Sequence, residues 1–197
     1  MSSLVLSGDT SGTVTLSVPA VAGSNTLTIQ AGTGTNSMNT LATAVASTSG
    51  TSIDFTSLPS WVKRITVMLA GVSTSGTSIP IIQIGGGSVE TSGYSGSVMI
   101  TVDANVTSGA LWAASAISLN KTGSVGATQA LQGHVVLTLV SGNLWVISGL
   151  YAVTADSRMI QTAGIKTTSA TLDRLRITTA GGTDTFDAGS VNILYEG

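Results

Sequence analysis

Apolar and hydroxyl-bearing side chains alternate with period two along most of this chain, and no stretch sustains the 3.6-residue period of an amphipathic helix. Val14, Leu16 and Val18 alternate with Thr13, Thr15 and Ser17; Leu27 and Ile29 alternate with Thr26 and Thr28; Ile65, Val67 and Leu69 repeat the pattern. Such a period sends successive side chains to opposite faces of a strand, one face to bury and one to expose. The polar partners are mostly small: 28 Ser and 30 Thr stand among 197 residues, against 7 Lys or Arg and 9 Asp or Glu. Thr, Val and Ile are stiffened at χ1 by branching at Cβ and suit pleated surfaces, so the chain reads as all-β. With 42% hydrophobic residues it has enough apolar material for a core, unlike a disordered chain.

One stretch admits two structures. Residues 122–155 carry no formal charge, and 134–153 have the length of a membrane-spanning helix. Within them, Ser141-Gly142-Asn143 is turn chemistry, and the flanks alternate as Val135, Leu137, Leu139 and then Leu144, Val146. A β-hairpin of 134–140 with 144–151 is therefore expected, without membrane insertion.

The pattern also divides the chain. Residues 1–30 read as three short strands separated by Gly8-Asp9 and Gly23-Ser24-Asn25, with Pro19 ending the second because it cannot donate to a ladder. A module of this size buries too little to stand alone, so it is expected to be completed by other copies or by a larger assembly. Residues 31–50 lose the alternation and read as a linker, in which Leu41-Ala42-Thr43-Ala44-Val45 has the makings of a short helix or strand. Residues 51–197 contain eight to ten β segments: 52–56, 63–70, 79–84, 97–103, 111–119, 134–140, 144–151, 157–166, 172–179 and 191–196. In the last two, Arg174, Arg176, Asn192 and Glu196 fall on the outward face. Strands at this spacing without intervening helices indicate an antiparallel β-sandwich, jelly-roll-like, preceded by the small N-terminal β module.

The chemistry-bearing residues are few. There is no Cys, which removes disulfides, thiolate metal ligands and a thiol nucleophile. The single imidazole, His134, reads as a strand-end or interface histidine more readily than as a base, and no Gly-x-Ser-x-Gly accompanies it. Asp184 and Asp187 are the closest pair of carboxylates, but the preceding Gly181-Gly182-Thr183 is turn chemistry. Gly32-Thr33-Gly34 and Gly85-Gly86-Gly87 lack the spacing or the lysine of a phosphate-binding loop. Lys63-Arg64 and the pair Arg174 and Arg176 are the only basic groupings, too little to neutralise nucleic-acid phosphates. No catalytic, metal or cofactor-binding residue is assigned, no cofactor is expected, and the chain reads as non-enzymatic. Of the eight aromatics, Trp61, Phe55, Trp145 and Tyr151 are expected in the core. Tyr94, in a turn-rich segment, is the candidate exposed contact residue, with a loop-anchoring role as the alternative. Residues 1–9 lack the cationic start of a secretory signal, so synthesis in the cytoplasm of the producing cell is expected.

Three segments carry a resemblance. SGDTSGTVTLSVPAVAGSNTLTI (7–29) resembles a short module of tail-fibre and other minor structural proteins of tailed bacteriophages. IDFTSLPSWVKRITVMLAGVSTSGTSIPIIQIG (53–85) and DRLRITTAGGTDTFDAGSVNILYEG (173–197) are similar to the terminal domain of such proteins. The resemblance implies a non-enzymatic, homotrimeric protein of the virion exterior, assembled in the bacterial cytoplasm and joined to other virion proteins through residues 1–30. Its β-sandwich would meet a host surface glycan or receptor. The chain lacks the extended shaft, coiled coil or collagen-like repeat of long tail fibres, which leaves a short fibre as the leading expectation, a capsid decoration protein or head fibre as the second and a polysaccharide depolymerase as the third.

Overall fold

Two units make up the chain, 1–36 and 37–197, and a computed structural model describes residues 3–7, 13–17, 39–102, 106–121, 126–154 and 157–197. In the first unit β1 (Ser3–Ser7) pairs antiparallel with β2 (Thr13–Ser17), Leu4 opposite Leu16 and Leu6 opposite Val14. The third strand expected there, around 27–29, lies outside the described residues.

The second unit is an antiparallel β-sandwich. In chain order its strands are β3 (Asn39–Leu41), β4 (Val45–Ala46), β5 (Ser52–Thr56), β6 (Arg64–Thr74), β7 (Pro80–Gly85), β8 (Tyr94–Val102), β9 (Val106–Leu111), β10 (Ile117–Ser118), β11 (Leu131–Ser141), β12 (Leu144–Val153), β13 (Arg158–Thr167), β14 (Arg174–Thr179) and β15 (Phe186–Glu196). One sheet has four strands in the order β10-β7-β14-β5; the other has nine in the order β3-β15-β6-β11-β12-β13-β8-β9, with β4 also pairing on β15. Inward residues of both sheets merge into one core: Ile53, Ile82, Ile84, Leu175 and Ile177 from the smaller face Ile65, Val67, Val135, Leu137, Ile147 and Ile160 from the larger. The alternation seen in Ile65, Val67 and Leu69, in Leu175 and Ile177, and in Val191 and Ile193 is this buried face.

The uncharged 122–155 stretch contributes the hairpin rather than a membrane helix. β11 and β12 pair from Leu131 opposite Val153 to Ser141 opposite Leu144, and Gly142 takes φ 54° at the first turn position, as a primed hairpin turn requires. No helix among the described residues is long and apolar enough to cross a membrane.

Two boundaries differ from expectation. Residues 31–50 are not all linker, because β3 and β4 lie in turn along the edge of β15 and belong to the sandwich, so the domain does not begin at 51. Ala42 N donates to Ile193 O at 2.9 Å, Ser47 N to Gly189 O at 2.9 Å, and the buried Ser47 hydroxyl to Ala188 O at 2.7 Å. Edge pairing of this kind is made by the backbone, so it leaves no apolar period to read. The segment 111–119 is not one strand but the end of β9, a crossing between sheets, and β10, which gives eleven strands beyond residue 50 among the described residues. Trp112 and then Ala116, Ile117 and Leu119 are buried on either side of the crossing, whereas Leu111, 84% exposed, points away from the core.

Candidate interaction surface

Tyr94 is not an exposed contact. It begins β8 on the inward side, opposite Lys166 of β13, and is only 4% exposed. Its hydroxyl accepts from Ile84 N at 2.8 Å and has Ile84 O at 3.1 Å and Glu90 O at 3.0 Å as acceptors for its one proton. The turn-rich segment before it wraps around the ring, so the residue anchors that loop. Burial pushes its pKa up to about 12, against the Ile84 N–H, which favours the phenolate.

Beside it stands an ion pair between a buried lysine and a partly exposed glutamate that nothing in the sequence announces. Lys166 Nζ donates to Glu90 Oε2 at 2.5 Å and to Thr167 O at 2.9 Å, and lies 5.1 Å from the centre of the Tyr94 ring. Ser169 donates to the other Glu90 oxygen through its N–H at 2.8 Å and its hydroxyl at 2.9 Å. Burial raises the Glu90 carboxyl, but Lys166 and Ser169 together outweigh it and hold the pKa below the ordinary value of 4.5.

The carboxylates singled out by spacing serve loops. Asp184 accepts from Ser78 N at 2.8 Å, and Asp187 accepts from the Ser73 hydroxyl, so each is tied to the 73–78 segment rather than to the other. Gly85-Gly86-Gly87 is a turn packed on 170–173: a Cβ on Gly86 would fall 2.6 Å from Thr171 O, and Gly87 N donates to Asp173 Oδ1 at 3.0 Å. Trp145, Tyr151 and Phe55 are core residues, and Trp61 packs against the core with its ring 5.7 Å from Tyr195. Among the described residues no three His, Asp or Glu side chains gather closely enough to hold a metal ion.

The two outer faces of the sandwich differ in charge. On the four-stranded sheet, Arg176 makes a two-point contact with Asp54 (2.7 and 3.2 Å) and Arg174 another with Asp173 (2.7 and 3.0 Å). These contacts raise both guanidinium pKa values, and the Arg174 bond holds Asp173 below the usual carboxylate range. Arg176, Gln83, Thr178, Thr51 and Gly181 line a polar groove of about 410 Å³ there.

The nine-stranded sheet presents the opposite. Its register sets Leu194, Thr66, Val136, Ser148, Ala163 and Ser97 in one row across β15, β6, β11, β12, β13 and β8. A second row runs through Thr138, Val146, Ile165 and Ser95, and a third through Met68, His134, Leu150, Gln161 and Met99. Ile165 is 47% exposed, Leu150 45% and Met159, on the next row, 43%. On β8, β11, β12 and β13 the outward positions carry no Asp, Glu, Lys or Arg; the nearest outward charges are Arg64 and Glu196, paired at 3.7 Å on β6 and β15. An apolar and hydroxyl face with no charge at its outward positions strands no ion when water is excluded from it. His134 stands on it as an exposed residue within the face, not at a strand end. This face was hidden in the sequence because the register, not the spacing, brings its rows together.

No protein-family model, no curated protein and no solved structure matches the chain.

Proposed function

We propose that this chain is a non-enzymatic surface protein of a tailed-bacteriophage virion, a homotrimeric short fibre. Residues 1–30 join it to other virion proteins, and the sandwich, from residue 37 onward, faces the host. The observation that carries this reading is the outer face of β8, β11, β12 and β13, uncharged at its outward positions, set opposite a face whose charges are paired in the open. A protein packed among identical copies needs one face that loses water without stranding a charge and another that stays solvated. The three sequence segments that resemble phage fibre proteins suggest the setting, and the division of the chain into units 1–36 and 37–197 is consistent with attachment by one and exposure of the other. Many copies on one particle then add weak single contacts with a host glycan or receptor into firm attachment.

Immunogold electron microscopy of particles from the producing lysate, with an antibody raised against residues 37–197, tests this. Label on the tail is the expected result. Label scattered over the head would replace the fibre by a capsid decoration protein, and unlabelled particles would overturn the virion reading.

A further inference from the structure

We infer that the outer face of β8, β11, β12 and β13 is where copies of this chain pack on one another, the apolar ridge of one copy seated in the small-residue trough of the next. This rests on the reading of the chain as an assembly protein and adds the surface and the fit.

The relief of the face makes the case. Ser148, Ala163 and Ser97 form a row of small side chains flanked on one side by Val146 and Ile165 and on the other by Leu150, Gln161 and Met99. On the Leu150 and Gln161 side of this row lies a depression of about 360 Å³, lined by Ser148, Gly149 and Ala163 together with His134, Val136, Leu150 and Gln161. Rows on one face of a strand repeat every two residues, roughly 6.6 Å. A second copy carries ridges at the same repeat, so its Val146–Ile165 ridge matches the spacing of the rows that flank the trough, as inner faces of packed sheets interdigitate.

Charge and area point to the same occupant. A charged partner would find no Asp, Glu, Lys or Arg to pair with at the outward positions of these four strands, whereas a second copy brings a face that is equally neutral. Ser97, Thr138, Ser148 and Gln161 each offer both donors and acceptors, so two such faces can satisfy one another. Four strands about 4.8 Å apart and about ten residues long span a plane of roughly 600 Å². The side chains standing on it raise the accessible area toward the roughly 800 Å² per partner of a stable interface.

Sedimentation velocity of the full chain decides the matter, for wild type, Ala163→Arg, Ser148→Arg and, as a charge-matched control on an exposed loop, Ser92→Arg. The expected result is an oligomer for wild type and for Ser92→Arg, unchanged between about 0.05 and 0.5 M salt because no ion pair holds it. Each trough variant should lose at least about 100-fold in association constant through burial of an unpaired charge. Urea midpoints for all four confirm folding, and two independent trough positions keep the test alive if one variant misfolds. Trough variants that assemble like wild type, or an oligomer that salt dissociates, would overturn the face while leaving assembly intact. A wild type that stays monomeric would overturn self-association itself, and the virion reading would still stand or fall on the gold label.

Discussion

Trp112 lies against Gly164 so closely that a Cβ on the glycine would fall 2.5 Å from the indole Cζ3. Gly96, opposite Gly164 in the β8–β13 register, completes the slot, with a Cβ there 2.6 Å from Trp112 Cε3. The indole N–H donates to Thr162 Oγ1 at 2.9 Å, so the ring is fixed in its plane as well as against the backbone. Neither glycine has a positive φ. Space, not backbone conformation, demands them.

Gly164→Ala therefore overpacks the core and should cost about 3 kcal/mol. Urea unfolding followed by tryptophan fluorescence measures this as a fall in midpoint at unchanged slope. A loss within about 0.5 kcal/mol of zero, the size of an ordinary surface change, would mean that the slot is not closed.

Glu90→Gln should cost about 3 kcal/mol near neutral pH, because it leaves the Lys166 ammonium, 4% exposed, without its counter-charge. The folded carboxylate is held below its ordinary 4.5, so its contribution is present above that value and is lost as pH falls through the lower folded pKa. The gap in stability between wild type and Glu90→Gln should accordingly narrow between pH 7 and pH 3. Parallel curves would show that the pair does not titrate in this way.

At alkaline pH the sign reverses for Tyr94. Its folded pKa is raised to about 12 from 10.0, so its contribution is complete below pH 10 and is lost as pH rises toward 12. Tyr94→Phe removes the three hydroxyl contacts and should cost about 2 kcal/mol at pH 7. Between pH 9 and pH 12 the advantage of the tyrosine should shrink by roughly 2–3 kcal/mol. Chemical denaturation of the two proteins across that range checks it, and hydrogen exchange in 85–93 should quicken in the variant because the loop loses its anchor.

Two truncations separate linker from domain. A chain beginning at Ser37 should melt at the temperature of the second unit in the full protein, whereas one beginning at Thr51 loses β3, β4 and the buried Ser47. A loss of about 2 kcal/mol in the shorter form would lower Tm by roughly 4–8 °C. Equal melting temperatures for the two would return 37–50 to the linker.

Along the chain, the identity of neighbours is enough to declare a strand. Val135, Leu137 and Leu139 followed by Leu144 and Val146 announced the hairpin, although on its second strand Trp145 and Ile147 turn inward and Val146 outward; Leu175 and Ile177 with Arg174 and Arg176 announced an inward and an outward side. The fold class followed, since period-two strands without helices have few ways to bury one face. Tertiary structure alone decided which strands became neighbours and so which outward residues stood together. Ser148, Ala163 and Ser97 share a trough only through the β12–β13–β8 register. Glu90 meets Lys166 across 76 residues. Tyr94, surrounded by turn residues that suggested exposure, is buried because it starts a strand on the core side. Periodicity is a local property of the chain, whereas registers, ion pairs and edge pairings such as β3 and β4 on β15 depend on contacts between distant residues that no local pattern encodes.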